Sequence, residues 1–374
     1  MKNIPKRLLE KLEKRKTLGN YRCLPAENDL IDFSSNDYLG LSNSQVLLGE
    51  INRDHMESTA AIGSTGSRLL TGNSPLHSQL EETLATYFQA PAALLFNSGY
   101  TANLALASTI PQRGDTVLYD QHIHACVKEG VRLSNSRYLT FNHNDPKDLE
   151  RKLRNSNGNK YVVIESLYSM EGDYPPIEEF MHLCDKYQAA LMVDEAHTTG
   201  WVGPGGRGWA VDQGIADRFL ARVYTFGKAV GAYGACIVGS KELVHYLVNY
   251  SRPFIYTTAF PPYNVLSIGS SLKYLDRSNT QSEKLRENIN HYLELLKEFR
   301  VTGSSNPNSP IQWIRSTGND RARKLSEHLA TLGFDVRPIL SPTVPIGTER
   351  LRICLHSFNT KDQINDLLSS IASK

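Results

Sequence analysis

Seven short apolar runs punctuate the middle of the chain, several of them separated by helix-patterned stretches. The runs are Ala92–Phe96, Thr116–Tyr119, Arg137–Phe141, Tyr161–Glu165, Ala189–Asp194, Arg222–Phe226 and Gly234–Val238. Amphipathic stretches at Pro75–Gln89, His124–Leu133 and Ile177–Tyr187 lie among them. Ser74-Pro75 offers the first of these an N-cap and a proline at the first helical position. Strand and helix patterns in alternation predict a largely parallel sheet covered on both faces. In such a sheet, ligands bind beyond the carboxyl ends of the strands.

The pattern changes after Pro262. Long helical stretches, Tyr263–Asp276 and Gln281–Phe299, come first. Short strands at Pro310–Arg315 and Arg350–Leu355 then flank a helix at Asn319–Leu332, and a last helix covers Thr360–Ile371. This predicts an N-terminal arm over 1–45, a large α/β domain over 46–262 and a smaller α+β domain over 263–374. Leu8, Leu9 and Leu12 fall on one helical face, which predicts a short amphipathic helix docked on the body.

A chain of 374 residues buries roughly 75% of its unfolded surface, enough for a sizeable core. Basic and acidic residues nearly balance, 41 against 39, so charge gives no argument for a nucleic acid or membrane partner. The five cysteines are scattered without a C-x-x-C pair, which indicates neither a metal site nor a disulfide framework. The first 16 residues are basic but lack the apolar stretch of a signal peptide. A soluble, cytoplasmic protein is expected.

Two strand ends carry the chemistry. Leu191-Met192-Val193-Asp194-Glu195-Ala196-His197 ends an apolar run in an acid, and Thr225-Phe226-Gly227-Lys228 ends a later one in a lone lysine. An acid and a lysine so placed suit pyridoxal phosphate, which needs a Schiff-base lysine and a partner for its pyridinium nitrogen. The same acidic tetrapeptide spells a helicase box. The only Gly-Lys, however, is followed by Ala229, so the phosphate loop a helicase needs is missing. Asn97-Ser98-Gly99-Tyr100 follows a strand and opens a helix, where free N–H groups meet an anion. Thr225 could reach the same ligand. His124, past the strand ending at Asp120, could stack on a flat ring, with His122 its near neighbour. In Arg350-Leu351-Arg352 one arginine could fork onto a substrate carboxylate. The two are expected to face opposite ways.

With these residues assembled, the chain resembles the α-oxoamine synthases, a branch of the fold type I pyridoxal phosphate enzymes. The likeness runs from Asp32-Phe33-Ser34-Ser35-Asn36-Asp37-Tyr38-Leu39-Gly40 to Pro342-Thr343-Val344-Pro345 and the following Gly347–Arg352. Within the family, Ser67-Arg68-Leu69-Leu70-Thr71-Gly72-Asn73 is most similar to the branch that makes 8-amino-7-oxononanoate for biotin. The resemblance implies a transferase fold with a mainly parallel sheet. It implies a Schiff base at Lys228, Asp194 at the ring nitrogen, His197 at the ring hydroxyl and His124 over the ring. Ser169 would lie near cofactor and substrate; Ser98, Gly99, Tyr100 and Thr225 would hold phosphate. Asn36 and Arg352 would hold the amino-acid carboxylate, with Arg350 facing away. The family is homodimeric, and Thr257 and Thr258 lie in a segment that reaches the neighbouring subunit's phosphate. The implied reaction joins L-alanine to a pimeloyl thioester, of coenzyme A or of acyl-carrier protein. Other members join glycine to acetyl-CoA or serine to palmitoyl-CoA, and a pyridoxal phosphate protein without turnover is the reading from another class. The family often has serine at the position of Cys126 and aspartate at that of Glu195.

Overall fold

The computed structural model describes residues 4–24, 29–58, 61–304 and 306–373. The chain divides into two compact units. The larger holds residues 36–287 and 356–358, the smaller 1–35, 288–355 and 359–374. These units are drawn differently from the three expected segments. The helix Pro262–Arg277 packs on the helices Gln45–Ser58 and Pro75–Tyr87, so residue 262 lies inside the larger unit. The start of the chain goes with the smaller unit because Ile31–Asp32 pairs in parallel with Phe334–Asp335.

The larger unit is built on seven strands: β1 (Ala92–Phe96), β2 (Thr116–Asp120), β3 (Arg137–Phe141), β4 (Lys160–Glu165), β5 (Ala189–Asp194), β6 (Ala221–Thr225) and β7 (Ala235–Gly239). Their order in the sheet is β1-β7-β6-β5-β4-β2-β3. Only β7 runs against the others, pairing antiparallel with both β1 and β6. β2 and β6 are buried at every residue, as strands covered on both faces must be. Val117, Val163, Met192, Val223 and Ile237 pack with Leu106, Val127 and Val131 from the covering helices. Each such side chain contributes roughly 1.5–3 kcal/mol by leaving water.

Register sets the active edge. Glu165 pairs with Asp194, Asp194 with Val223, and Thr225 with Ala235, which also faces Phe96. Polar strand ends therefore stand in one row along the carboxyl edge. The helices that follow are capped from the same edge. Ser98 accepts from Thr101 N–H to start Gly99–Thr109, and His124 accepts from Cys126 N–H to start Ala125–Leu133. Ser74 does hold the N-cap position of Pro75–Tyr87, but its hydroxyl meets His77 Nδ1 at 2.8 Å instead of capping the backbone.

The smaller unit has a three-stranded antiparallel sheet, ordered Arg337–Ile339, Arg350–Cys354, Ile311–Arg315. Its last helix, Lys361–Ala372, begins with a capping box between Thr360 and Gln363. Two expectations are corrected here. Arg350 and Arg352 lie two residues apart on one strand, so they share a face, and both are buried. The helix Lys6–Thr17 exists but buries none of its residues; Leu8, Leu9 and Leu12 are all exposed. Three leucines among eight charged side chains offer little apolar area to dock.

Candidate active site

The carboxyl edge of the large sheet encloses a cavity of about 220 Å³. Ser98, Gly99, Tyr100, His124, Asp194, Thr225 and Lys228 all line it. Four separate chain segments thus supply the expected set, and only the sheet register brings them together.

Asp194 is buried at the end of β5. One oxygen accepts from Ala196 N–H at 2.9 Å, the other from Asn103 Nδ2 at 2.7 Å. A carboxylate braced on both oxygens keeps its position and presents negative charge to the cavity. Asn103 lines the same cavity and was passed over in the sequence. The signal was there: a lone amide in the run Ala102-Asn103-Leu104-Ala105-Leu106, the apolar middle of its helix.

Lys228 ends in a chain of hydrogen bonds. Its Nζ meets His197 Nε2 at 2.8 Å, and His197 Nδ1 meets the Tyr38 hydroxyl at 2.7 Å. Tyr38 in turn donates to Asn36 Oδ1 at 3.2 Å. The phenol has one proton to share between His197 Nδ1 and Asn36 Oδ1, so the His197 tautomer sets the direction in which this chain is polarised. Trp201 Nε1 holds the backbone carbonyl of His197 at 2.7 Å. His197 and Asn36 thus reach Lys228 through this chain and are not among the residues lining the cavity. Tyr38 is the further member that sequence reading missed.

His124 lines the cavity, with its ring nitrogen Nδ1 turned to Cys126 Sγ at 2.8 Å. Burial, aided by the positive charges of Lys228 and Lys128, outweighs Asp194 and lowers its pKa. The ring is neutral near pH 7, a flat surface fit for stacking. Glu165 fixes the backbone here, accepting from His124 N–H at 2.7 Å and from Ser169 N–H at 3.2 Å. Burial, with Asp194 close by, pushes the Glu165 carboxyl up to about 8 despite the opposing charge of Lys228. Ser169 is buried on this carboxylate and does not line the cavity.

Gly99 has a reason to be glycine. A Cβ there would lie 2.4 Å from Thr225 Cγ2. Without it, the first turn of the helix comes hard against the end of β6. Gly99 and Tyr100 lie in that turn, where N–H groups have no intrahelical acceptor. Helix start, hydroxyl, braced carboxylate, flat imidazole and lysine are the donor set a phosphorylated pyridine aldehyde requires. The residues present fit pyridoxal phosphate.

Thr257 and Thr258 do not line this cavity. Asn97 Nδ2 reaches Thr257 Oγ1 and the Thr258 carbonyl, both at 3.2 Å. Arg352 belongs to the smaller unit, where its guanidinium contacts Cys354 Sγ at 2.7 Å. Arg350 lies over the Trp313 ring, 4.7 Å from its centroid, and donates from Nε to the Thr348 carbonyl.

A second cluster, unread in the sequence, stands beside the edge. His143 holds Asp120 through Nδ1 at 2.9 Å and Asp173 through Nε2 at 3.0 Å. Its ring stacks on His122 at 4.3 Å and meets Tyr168 edge-on. Burial would lower the His143 pKa, but hydrogen bonds and charge from the two carboxylates override it and raise it to about 10. His122, packed on this cation, has its pKa lowered by burial first and by His143 second.

Residues 28–371 match the model of the family described as aminotransferase class I and II. The 8-amino-7-oxononanoate synthase of Emericella nidulans is 38% identical over 369 residues, covering 92% of this chain and 89% of that protein. A serine palmitoyltransferase from S. paucimobilis, solved with a PLP–myriocin aldimine, superposes with a TM-score of 0.89 at 26% identity. It covers 98% of this chain and 96% of its own. The 8-amino-7-oxononanoate synthase of Francisella tularensis gives 0.79 at 29% identity, over 93% of this chain and 98% of that one. The chain belongs to the aminotransferase class I and II family, has the fold type I architecture and is a pyridoxal phosphate-dependent acyltransferase.

Proposed function

We propose that this family member joins L-alanine to a pimeloyl thioester, of coenzyme A or acyl-carrier protein. It would release CO₂ and free thiol and give 8-amino-7-oxononanoate, in the cytoplasm and as a homodimer. The observation that carries this reading is the relay from Lys228 through His197 and Tyr38 to Asn36, together with the braced Asp194. The names of the curated relatives support the choice of product.

Bound pyridoxal phosphate supplies the ring that accepts the electron pair left when the Cα–H bond of alanine breaks. Asp194 keeps positive charge on the ring nitrogen, because an opposite charge close by favours the protonated form by ~1–3 pKa units. His124 would cover the ring face as a neutral imidazole. Ser98, Gly99, Tyr100 and Thr225 would hold phosphate; Thr257 and Thr258 would serve the neighbouring subunit's phosphate. His197 would bond the ring hydroxyl. Lys228 anchors the cofactor and, once displaced, takes the Cα proton, a positioned transfer worth roughly 10²–10⁴-fold. Asn36 and Arg352 are the residues proposed for the alanine carboxylate, and Ser169 is proposed for cofactor and substrate. Carboxylate loss follows carbon–carbon bond formation, and Lys228 returns a proton to Cα.

The test is mass spectrometry of products from L-alanine with pimeloyl-CoA and with pimeloyl-carrier protein, beside glycine with acetyl-CoA and serine with palmitoyl-CoA. The expected result is 8-amino-7-oxononanoate with matching thiol release. Product only from glycine or serine would move the protein to another branch of the family. No product from any pair would make it a cofactor-binding protein without turnover.

A further inference from the structure

The smaller unit holds a cavity of about 490 Å³, against about 220 Å³ for the cofactor cavity. Its wall carries four cations, Arg300, Arg315, Arg321 and Lys324. Its floor is apolar, with Ile314 and Leu325 among the residues that form it. Among the described residues no carboxylate lines it. Arg321, Lys324, Leu325 and His328 fall at i, i+3, i+4 and i+7 of the helix Asn319–Thr331, so one helix face supplies most of one wall. Arg300 comes from the turn that follows the helix Thr280–Glu298, and Arg315 from the edge strand of the sheet.

These cations differ from their neighbours. Arg323, on the same helix, pairs with Asp320, and Arg337 pairs with Asp335. Among the described residues none of the arginines or the lysine in the cavity wall makes an ion pair. Arg315 finds only the Trp313 ring, 5.8 Å away. Arg321 sits in the first turn of its helix, where the macrodipole opposes a cation. Like charges gathered around apolar side chains are relieved by an anion. Arginine forks match phosphate oxygens pairwise. The volume falls in the range of small-molecule pockets, which favours a compact ligand over a flat protein surface.

We propose that this cavity binds a nucleoside polyphosphate, its phosphates on the arginines and Lys324 and its base on the apolar floor. The site is separate from the residues that hold pyridoxal phosphate and needs none of them.

The experiment is calorimetric titration of ADP into the full-length protein saturated with pyridoxal phosphate, so that the cofactor's phosphate site is already filled. Saturable, salt-sensitive binding at one site per chain is expected, with pyrophosphate binding more weakly than ADP. The double variant Arg321→Gln/Lys324→Gln should weaken ADP by about tenfold or more through lost charge-assisted contacts. Its bound-cofactor absorbance and its activity should match the parent. Arg315→Gln, on a different element, gives a second reading should the double variant misfold. Absence of binding at millimolar ADP overturns the proposal. So does ADP affinity unchanged in both variants, or displacement of ADP by pimeloyl-CoA, which would place the nucleotide at the acyl-donor site. Equal affinity for pyrophosphate and ADP would remove the base from the proposal's ligand and overturn that assignment.

Discussion

His124 and His143 follow the ends of adjacent strands, β2 and β3, yet their surroundings drive them to opposite charge states. His124 meets burial and the nearby cations Lys228 and Lys128, and its pKa falls. His143 meets two carboxylates, one on each ring nitrogen, and its pKa rises to about 10 against the opposing effect of desolvation. The first ring is a neutral wall of the cofactor cavity. The second is a fixed cation that ties Asp120, at the end of β2, to Asp173, past the end of β4. One imidazole is placed to work on a ligand, the other to hold loops. The difference lies wholly in which long-range partners the fold delivers.

The strongest way to break this contrast is on the cavity side. Lys228→Ala removes both anchor and proton acceptor. Condensation is expected to fall by at least roughly 10²–10⁴-fold, with loss of the bound-cofactor absorption band. Turnover near the parent rate would detach the relay from the chemistry. Asn103→Ala acts one step back, by removing a donor from Asp194. Losing a hydrogen bond to a charged group costs roughly 1.5–3 kcal/mol. Cofactor affinity should therefore drop roughly 10–100-fold on dialysis against pyridoxal phosphate, while the unfolding midpoint of the cofactor-free protein moves little.

The other side is read by stability instead of turnover. Asp173→Asn should destabilise the fold by about 2 kcal/mol, as one charged hydrogen bond to His143 is lost. The sign with pH follows from the raised value. The folded pKa of about 10 lies above the 6.5 of a free histidine. The clamp's contribution is therefore complete below the free value and fades as pH rises toward 10. His124 has the opposite sign: its lowered pKa costs stability as pH falls below 6.5. Denaturant melts across that range should show parent and Asp173→Asn converging at alkaline pH. A constant gap up to pH 10 would show that the clamp is not a charged pair.

Much of this molecule is legible in the sequence where local pattern and local chemistry coincide. Apolar runs ending in Asp194 or leading to Lys228 give strands with their functional ends, and their register then follows from the sheet. Ser98 and Gly99 carry helix-start chemistry that needs no partner to be read. Asn103, Tyr38, Glu165 and His143 were not singled out, because each acts through residues far away in the chain. Glu165 ends an apolar strand just as Asp194 does, yet one carboxylate faces the cavity and the other turns under a loop. Only the packing decides which. The arginine pair was misread for a simpler reason, since residues two apart on a strand share a face.

Glu165 also leaves a measurable trace in time. Its buried carboxyl group accepts from the amides of both His124 and Ser169, which belong to two different loops. Loop amides ordinarily trade their protons with solvent quickly, but these two are withheld from it by one shared acceptor. In deuterium exchange they should label slowly and in step, as a paired clock for the opening of this edge.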